Sequence, residues 1–251
     1  MMKIPHRGSF LLVLGLGVAI FLGTPALYAA PLPGSLQIRL STSTGSVTIT
    51  DQGGCVATGT GNCSLFLSDT SGALGAVSTS GTIGSWIVNV TTGVAYPIFS
   101  QGTMDLNSIN VTATPSAGTL TVQITQTGFD INYPQFNLLG SGTLAGTGSS
   151  VAIFGSGGNN NTAFDTSNTL VSGGTLAPGA FAFSQNGTTG NTVNPYSLTL
   201  TYQITAGTGS LTSFSGNTVL QPIPEPTSVL LLGTGLAGLA LWGRRRSKSR
   251  K

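Results

Sequence analysis

Between residues 36 and 204 the chain repeatedly sets apolar side chains at every second position. Leu36, Ile38 and Leu40 alternate with Gln37 and Arg39. Leu120, Val122 and Ile124 alternate with Thr121, Gln123 and Thr125, and Leu198, Leu200, Tyr202 and Ile204 with Thr199, Thr201 and Gln203. A period of two over five or more residues predicts strands with one buried face. The opposite positions are mostly Thr, which suits a strand and stays polar without charge. In SWIVNV the same period predicts that Trp86, Val88 and Val90 share a face. Gly53-Gly54, Gly157-Gly158-Asn159 and Asn186-Gly187 read as turns between such runs.

One run breaks its own rhythm. In MDLNSINVTA, Met104 and Leu106 have one parity, whereas Ile109, Val111 and Ala113 have the other. A β-bulge near Asn107-Ser108 would bring both sets onto one face. No stretch of the body has a helical period. Many short strands within about 190 residues predict an all-β, Gly/Thr-rich β-sandwich of jelly-roll-like type. A parallel β-helix is the rival for such a composition, but no repeat of about 20 residues is present.

Two apolar stretches lie outside this pattern. Residues 10–22 (FLLVLGLGVAIFL) follow Lys3 and Arg7, and Pro25 and the small residues Ala29 and Ala30 come after them. This is the layout of a secretory signal helix over residues 1–30, with cleavage at Ala29 or Ala30 by signal peptidase. At the other end, residues 227–242 are apolar and uncharged, with Pro224-Glu225-Pro226 before them and Arg244, Arg245 and Arg246 after them. Sixteen residues at 1.5 Å each span about 24 Å, and flanking Trp242 and arginines at the headgroups make up the rest of a membrane crossing. The basic cluster orients this transmembrane helix with the body outside the cytoplasm. The domains so drawn are residues 1–30, an all-β extracellular body at 31–221, and a tail at 222–251.

The charge distribution follows the same division. The chain has formal net charge +3, yet eight of its nine basic residues sit in the two terminal segments. Residues 31–223 carry only Arg39 against Asp51, Asp69, Asp105, Asp130 and Asp165. A basic isoelectric point therefore gives no basic patch on the body, and nucleic acid is excluded as a partner.

The tail resembles the PEP-CTERM sorting signal of Gram-negative bacteria, through Pro224, Glu225 and Pro226, the Leu- and Gly-rich helix, and Arg244 to Arg246. That resemblance implies an inner-membrane-anchored precursor whose tail an exosortase removes, after which the body passes to the cell surface or extracellular matrix. It also implies a setting of exopolysaccharide and biofilm production.

Reactive side chains are scarce. The one histidine, His6, lies in the signal segment, and residues 31–223 contain no His, Lys or Glu. A Ser-His-Asp triad, a Cys-His pair and a His-based zinc site are thereby excluded from the body. No cofactor or metal is expected. Asp51, Asp69 and Asp165 stand in turn-like contexts, where their carboxylates cap backbone N–H groups. The loop GGNNNTAFDTSN offers oxygens of the kind calcium takes, but with a single carboxylate. Cys55 and Cys63 are the only cysteines, and in an exported body they are expected to form a disulfide.

The function expected from these features is that of an exported, non-catalytic surface or matrix protein. The first alternative is an extracellular carbohydrate-binding module presenting Tyr96, Tyr133 and Tyr196, each next to a proline. The second is an Asp-only glycoside hydrolase, which needs two of the five Asp carboxyls in one cleft.

Overall fold

The structure, a computed structural model, describes residues 35–188 and 193–223 together with a short helical stretch at 233–236 and 238. The described body is all-β and consists of two antiparallel sheets. Its strands are β1 (Gln37–Ser41), β2 (Gly45–Thr50), β3 (Cys55–Gly59), β4 (Ala76–Ile83), β5 (Trp86–Val94), β6 (Met104–Ala113), β7 (Thr119–Phe129), β8 (Gln135–Ala145), β9 (Ser150–Gly158), β10 (Asn168–Leu176), β11 (Gly179–Thr188), β12 (Tyr196–Thr205) and β13 (Thr212–Ile223). The first sheet runs β10, β9, β12, β7, β1, β2, β3, and the second runs β11, β8, β13, β6, β5, β4. From β6 onward the chain changes sheet at almost every strand. That makes most pairings distant in sequence.

The alternating runs form the strands expected of them, and register turns them into rows. Leu40, Val122, Tyr202 and Ile153 lie opposite one another across β1, β7, β12 and β9. On the second sheet the corresponding row is Val88, Val111, Phe214 and Leu144. All eight are buried, and such cross-strand neighbours are the unit from which a sheet gains stability. The two rows meet between the sheets: the Tyr202 and Phe214 rings are 5.4 Å apart, and the Tyr202 hydroxyl is hydrogen-bonded to Thr218 Oγ1.

The bulge in β6 is present. Gly216 of β13 pairs with Ile109 and Thr218 pairs with Leu106, so one residue of β13, Asn217, stands opposite two of β6, Asn107 and Ser108. Ser108 has φ 54°, and Met104, Leu106, Ile109, Val111 and Ala113 are all buried. In SWIVNV the side chain of Val90 lies outside the described residues. Trp86 and Val88 are buried, but the register slips between Val88 and Val90, and the inward positions beyond are Thr91, Gly93 and Ala95. Small residues belong there because Ile124 of the facing sheet reaches into the space a Gly93 side chain would occupy.

Asn186-Gly187 is not a turn but lies within β11, paired with Asn137 and Phe136. Its glycine answers a close approach: a Cβ on Gly187 would fall 1.9 Å from the carbonyl oxygen of Leu170 on β10. The edges of the two sheets come together there. Strand β13 continues through Pro222 and Ile223, which pair with Phe136 and Gln135, two residues into the segment read as tail.

Among the described residues no helix is long and apolar enough to cross a membrane. The signal helix, Ala29 and Ala30, Pro224 to Pro226 and Arg244 to Arg246 lie outside the described residues, as does most of the sorting helix.

Candidate functional site

The outward faces of the two sheets are finished differently. On the first sheet several Thr and Gln side chains bond one another. Thr125 Oγ1 lies 3.0 Å from Thr199 Oγ1, Gln123 Nε2 donates to Thr201 Oγ1 at 3.2 Å, and Thr119 and Thr205 join their hydroxyls at 3.0 Å. Arg39 donates to Gln123 Oε1 through Nη2 at 2.6 Å, and its guanidinium sits 4.1 Å from the centre of the Phe164 ring. Burial holds the Arg39 pKa below its ordinary value. The β9–β10 loop lies over this face: the Phe164 N–H donates to Thr125 Oγ1, and Thr125, Thr199 and Thr201 are buried. Three of the loop's side-chain oxygens are likewise engaged. Asn161 Oδ1 accepts from the Gly128 N–H at 2.7 Å, Asn159 Oδ1 from Val193 and Asp165 Oδ1 from Ser167. These bonds tie the loop down.

The second sheet carries an open groove of about 600 Å³ instead. Ser141 and Thr143 project from β8, Ser215 and Asn217 from β13, and Asn107 and Ser108 from the β6 bulge. Asn217 pairs with Ser141 and Ser215 with Thr143, so these four form two adjacent cross-strand rows. Asn217 also falls at the slip in register opposite the bulge. A bulge bends its strand and re-aims the side chains beside it. Beneath the groove, Gly216 leaves room for a core ring: a Cβ there would come 2.5 Å from Phe214 Cζ.

Five of the six lining side chains have no hydrogen-bond partner among the described residues. The exception is Asn107, whose Nδ2 donates to Asp105 Oδ2 at 3.2 Å. Asp105 is held back from the groove. Its Oδ1 is buried without a partner, and burial raises its pKa against the opposing effect of the Asn107 bond. The lining has no charged and no aromatic side chain. It offers hydroxyl and amide groups that both donate and accept.

Of the tyrosines picked out from the sequence, Tyr96 and Tyr133 are half-buried and Tyr196 lies in the core. Tyr196 is buried, and its hydroxyl donates to the Ile131 carbonyl at 2.7 Å. The Tyr133 hydroxyl donates to the Gln101 carbonyl at 2.9 Å, and its ring meets Phe136 edge-on. The backbone N–H and carbonyl of Tyr96 are both bound by the Gln126 amide.

The aspartates act mainly on backbone N–H groups. Asp69 accepts from Ser71 and Ser78 through Oδ1 and from Gln52 through Oδ2. Asp51 Oδ2 accepts from Gly75 at 2.7 Å, while burial, with a further contribution from Asp69, raises its pKa. Cys55 and Cys63 are joined in a disulfide with Cα atoms 5.8 Å apart. The groove was missed in the sequence because Ser, Thr and Asn occur everywhere along this chain. The one local signal was the broken parity at Asn107-Ser108.

A pH dependence follows from buried Asp51 and half-buried Asp105. Their folded pKa values lie above the unfolded one, near 3.9. The native state therefore holds these protons more tightly, and the stability they contribute is full below the unfolded pKa and is lost as pH rises through the folded values. With no His, Lys or Glu in residues 31–223 to oppose it, the thermal midpoint is expected to rise as pH is lowered from 7 to 4. A calorimetric midpoint that falls over that range would contradict this assignment.

Comparison with known proteins identifies the tail. A model of the PEP-CTERM protein-sorting motif matches residues 222–246. The motif implies an exported, membrane-anchored precursor processed by an exosortase. No curated protein matches the chain. Among solved structures, TmCBM61 in complex with β-1,4-galactotriose is similar at 7% identity, over 55% of this chain and 88% of that one, with a TM-score of 0.29. The Stig cyclase Fisc from Fischerella sp. TAU is similar at 9% identity, over 59% of this chain and 76% of that one, with a TM-score of 0.30. A chain from the Gx strain of infectious bursal disease virus is similar at 17% identity, over 77% and 56%, also with a TM-score of 0.30.

Proposed function

We propose that this chain is an exported, non-catalytic surface or matrix protein. Its PEP-CTERM tail delivers it and is then removed, and a jelly-roll shell is what remains outside the cell. The sorting motif at residues 222–246 is the observation that carries this reading. The shell assignment is supported by strand order. Over β6 to β13 one sheet reads β11, β8, β13, β6 and the other β10, β9, β12, β7, which is the order two interleaved Greek keys produce. The remaining strands extend the two sheets beyond β6 and β7. A body without His, Lys or Glu suits a structural role outside the cell, as does an oxidised Cys55–Cys63 pair.

Replacing Pro224, Glu225 and Pro226 together by alanine is expected to leave the body folded and exported but to stop tail removal. Fractionation of the native host, with mass analysis of both chain ends, reads all three outcomes. A variant trimmed at the wild-type site and rate overturns the proposal.

A further inference from the structure

Each of the two sheets ends in two edge strands, and the four edges are finished differently. β4 is bridged by the strap that precedes it: Phe66 pairs with Gly81, and the Leu67 and Thr70 N–H groups donate to the Ser80 and Ser78 carbonyls. β3 is five residues long and is held at its start by the Cys55–Cys63 disulfide. β10 is broken by two shifts of register, and Gly174 within it has φ 78°. β11 is ten residues long, bonds β8 alone, and keeps an unbroken register from Gly179 to Thr188.

An edge strand presents a row of N–H and C=O groups that can pair with another chain, and proteins blunt it by short length, a bulge, proline, charge or a cover. The other three edges each show one of these devices. β11 shows none, having no Pro, Lys, Arg, Asp or Glu. Its side chains also leave the edge clear. Phe181 and Phe183 lean back over β8, where Cβ atoms on Gly142 and Gly140 would fall 2.8 and 2.3 Å from the Cζ atoms of the two rings. Phe181 then stacks on Phe214 of β13, 6.2 Å away. Where β10 approaches, at Gly187, it lies on this same inward side. The outward positions Ala180, Ala182, Ser184 and Asn186 are short and exposed.

We infer that β11 pairs with the β11 of a second copy of the chain, antiparallel about a two-fold axis, so that two six-stranded sheets become one continuous sheet. Charge selects this occupant. The body is net negative, with five Asp against Arg39, so two copies repel one another over much of their surface. Strands β8 to β13 carry no charged residue, and between residues 131 and 223 only Asp165, in the β9–β10 loop, is charged. Edge to edge at β11, the copies meet through neutral surface. Geometry agrees with charge. A two-fold axis sets each residue opposite one that points to the same side of the sheet, so the row of short side chains meets itself. Ten residues so paired exchange about ten backbone hydrogen bonds. Among the described residues β11 is the one long edge left open, and an isologous contact through it closes at two copies.

Ala180→Lys/Ala182→Lys tests the seam. Both alanines are exposed, and lysine on an edge strand is a natural device against pairing. The full-length chain is held in a polyoxyethylene detergent, and its protein mass is read by light scattering with the detergent contribution subtracted. Wild type is expected to be a dimer. The double variant should dissociate at least tenfold more readily, with unchanged β-type circular dichroism and cooperative unfolding. Single cysteines at positions 180, 182, 184 and 186 locate the contact. The native cysteines are bonded to each other, so an added thiol is free to react. One residue of a two-fold antiparallel pair stands opposite its own copy, so a short bis-maleimide should couple two chains through at least one of the four. Ile87→Cys, on the exposed face of the same sheet, should not couple. A monomeric wild type, or one that grows beyond the dimer, overturns the inference. So does a dimer that survives the two lysines, which would place the contact in the terminal segments, and so does coupling of the β11 cysteines to a different polypeptide.

Discussion

Trp86→Ala is expected to lower the unfolding free energy of the body by about 3–5 kcal/mol, a large part of the roughly 5–15 kcal/mol that a domain possesses. Trp86 is among the largest fully buried side chains, with no exposed surface. It opens β5 and pairs with Ile83 on one side and Ala113 on the other. The small Ala113 leaves its neighbour's ring to fill the layer, so truncation opens a cavity there. The indole N–H is buried without a partner, so truncation sacrifices packing and no hydrogen bond. Trp86→Phe separates the two effects. It keeps most of the ring and removes a buried donor whose isolation costs about 1–3 kcal/mol, so its midpoint should stay much closer to wild type. Urea unfolding followed by circular dichroism reads both variants, since Trp86 supplies the body's only indole fluorescence. Equal losses in the two would show that ring volume is not what Trp86 contributes.

The strands that could be read in advance are those that set large apolar residues at every second position over five residues or more. β1, β7 and β12 do so, and their inward residues are the ones the alternation marks. β8, β10 and β11 do not. Their inward positions include Gly140, Gly142, Gly173 and Gly187, each placed against a ring or a backbone oxygen. A glycine chosen for close approach has the same sequence signature as a glycine in a turn, which is why Asn186-Gly187 reads as a break and is a strand. Thr199 and Thr201 raise the opposite difficulty. They alternate outward as expected, yet they are buried because a loop from elsewhere in the chain lies over them. Local pattern fixes which face of a strand a residue takes. It says nothing of what later covers that face.

The sorting motif at the C-terminal end was legible because it depends on local order of charge, apolar length and proline, with no tertiary context. The groove depends on the opposite kind of information. Ser141 and Asn217 are 76 positions apart in sequence and opposite one another in space, and only the strand order brings them together. The bulge was the exception, since a change of parity without Gly or Pro can be seen within ten residues.

Loss of the Cys55–Cys63 bridge is expected to cost about 2–3 kcal/mol in the loop-entropy account, given its sequence separation of 8. Its position makes that loss local as well as global. β3 is the edge of the first sheet and pairs with β2 alone. The chain beyond Cys63 turns through a short 3₁₀ segment, and Phe66 then bridges to Gly81 of β4, the edge of the second sheet. Leu67 and Thr70 donate to the carbonyls of Ser80 and Ser78 along the same edge. The disulfide thus ties one sheet's edge to the segment that covers the other's. The Cys55→Ser/Cys63→Ser variant and dithiothreitol-treated wild type should show the same lowered urea midpoint, with faster amide exchange across residues 55–83. Reductant should leave the double variant unchanged, and a further drop there would place the stabilisation elsewhere. Because cytosolic thiols are kept reduced, the chain gains this increment only after export, and the body is at its most stable in the compartment to which its sorting motif directs it.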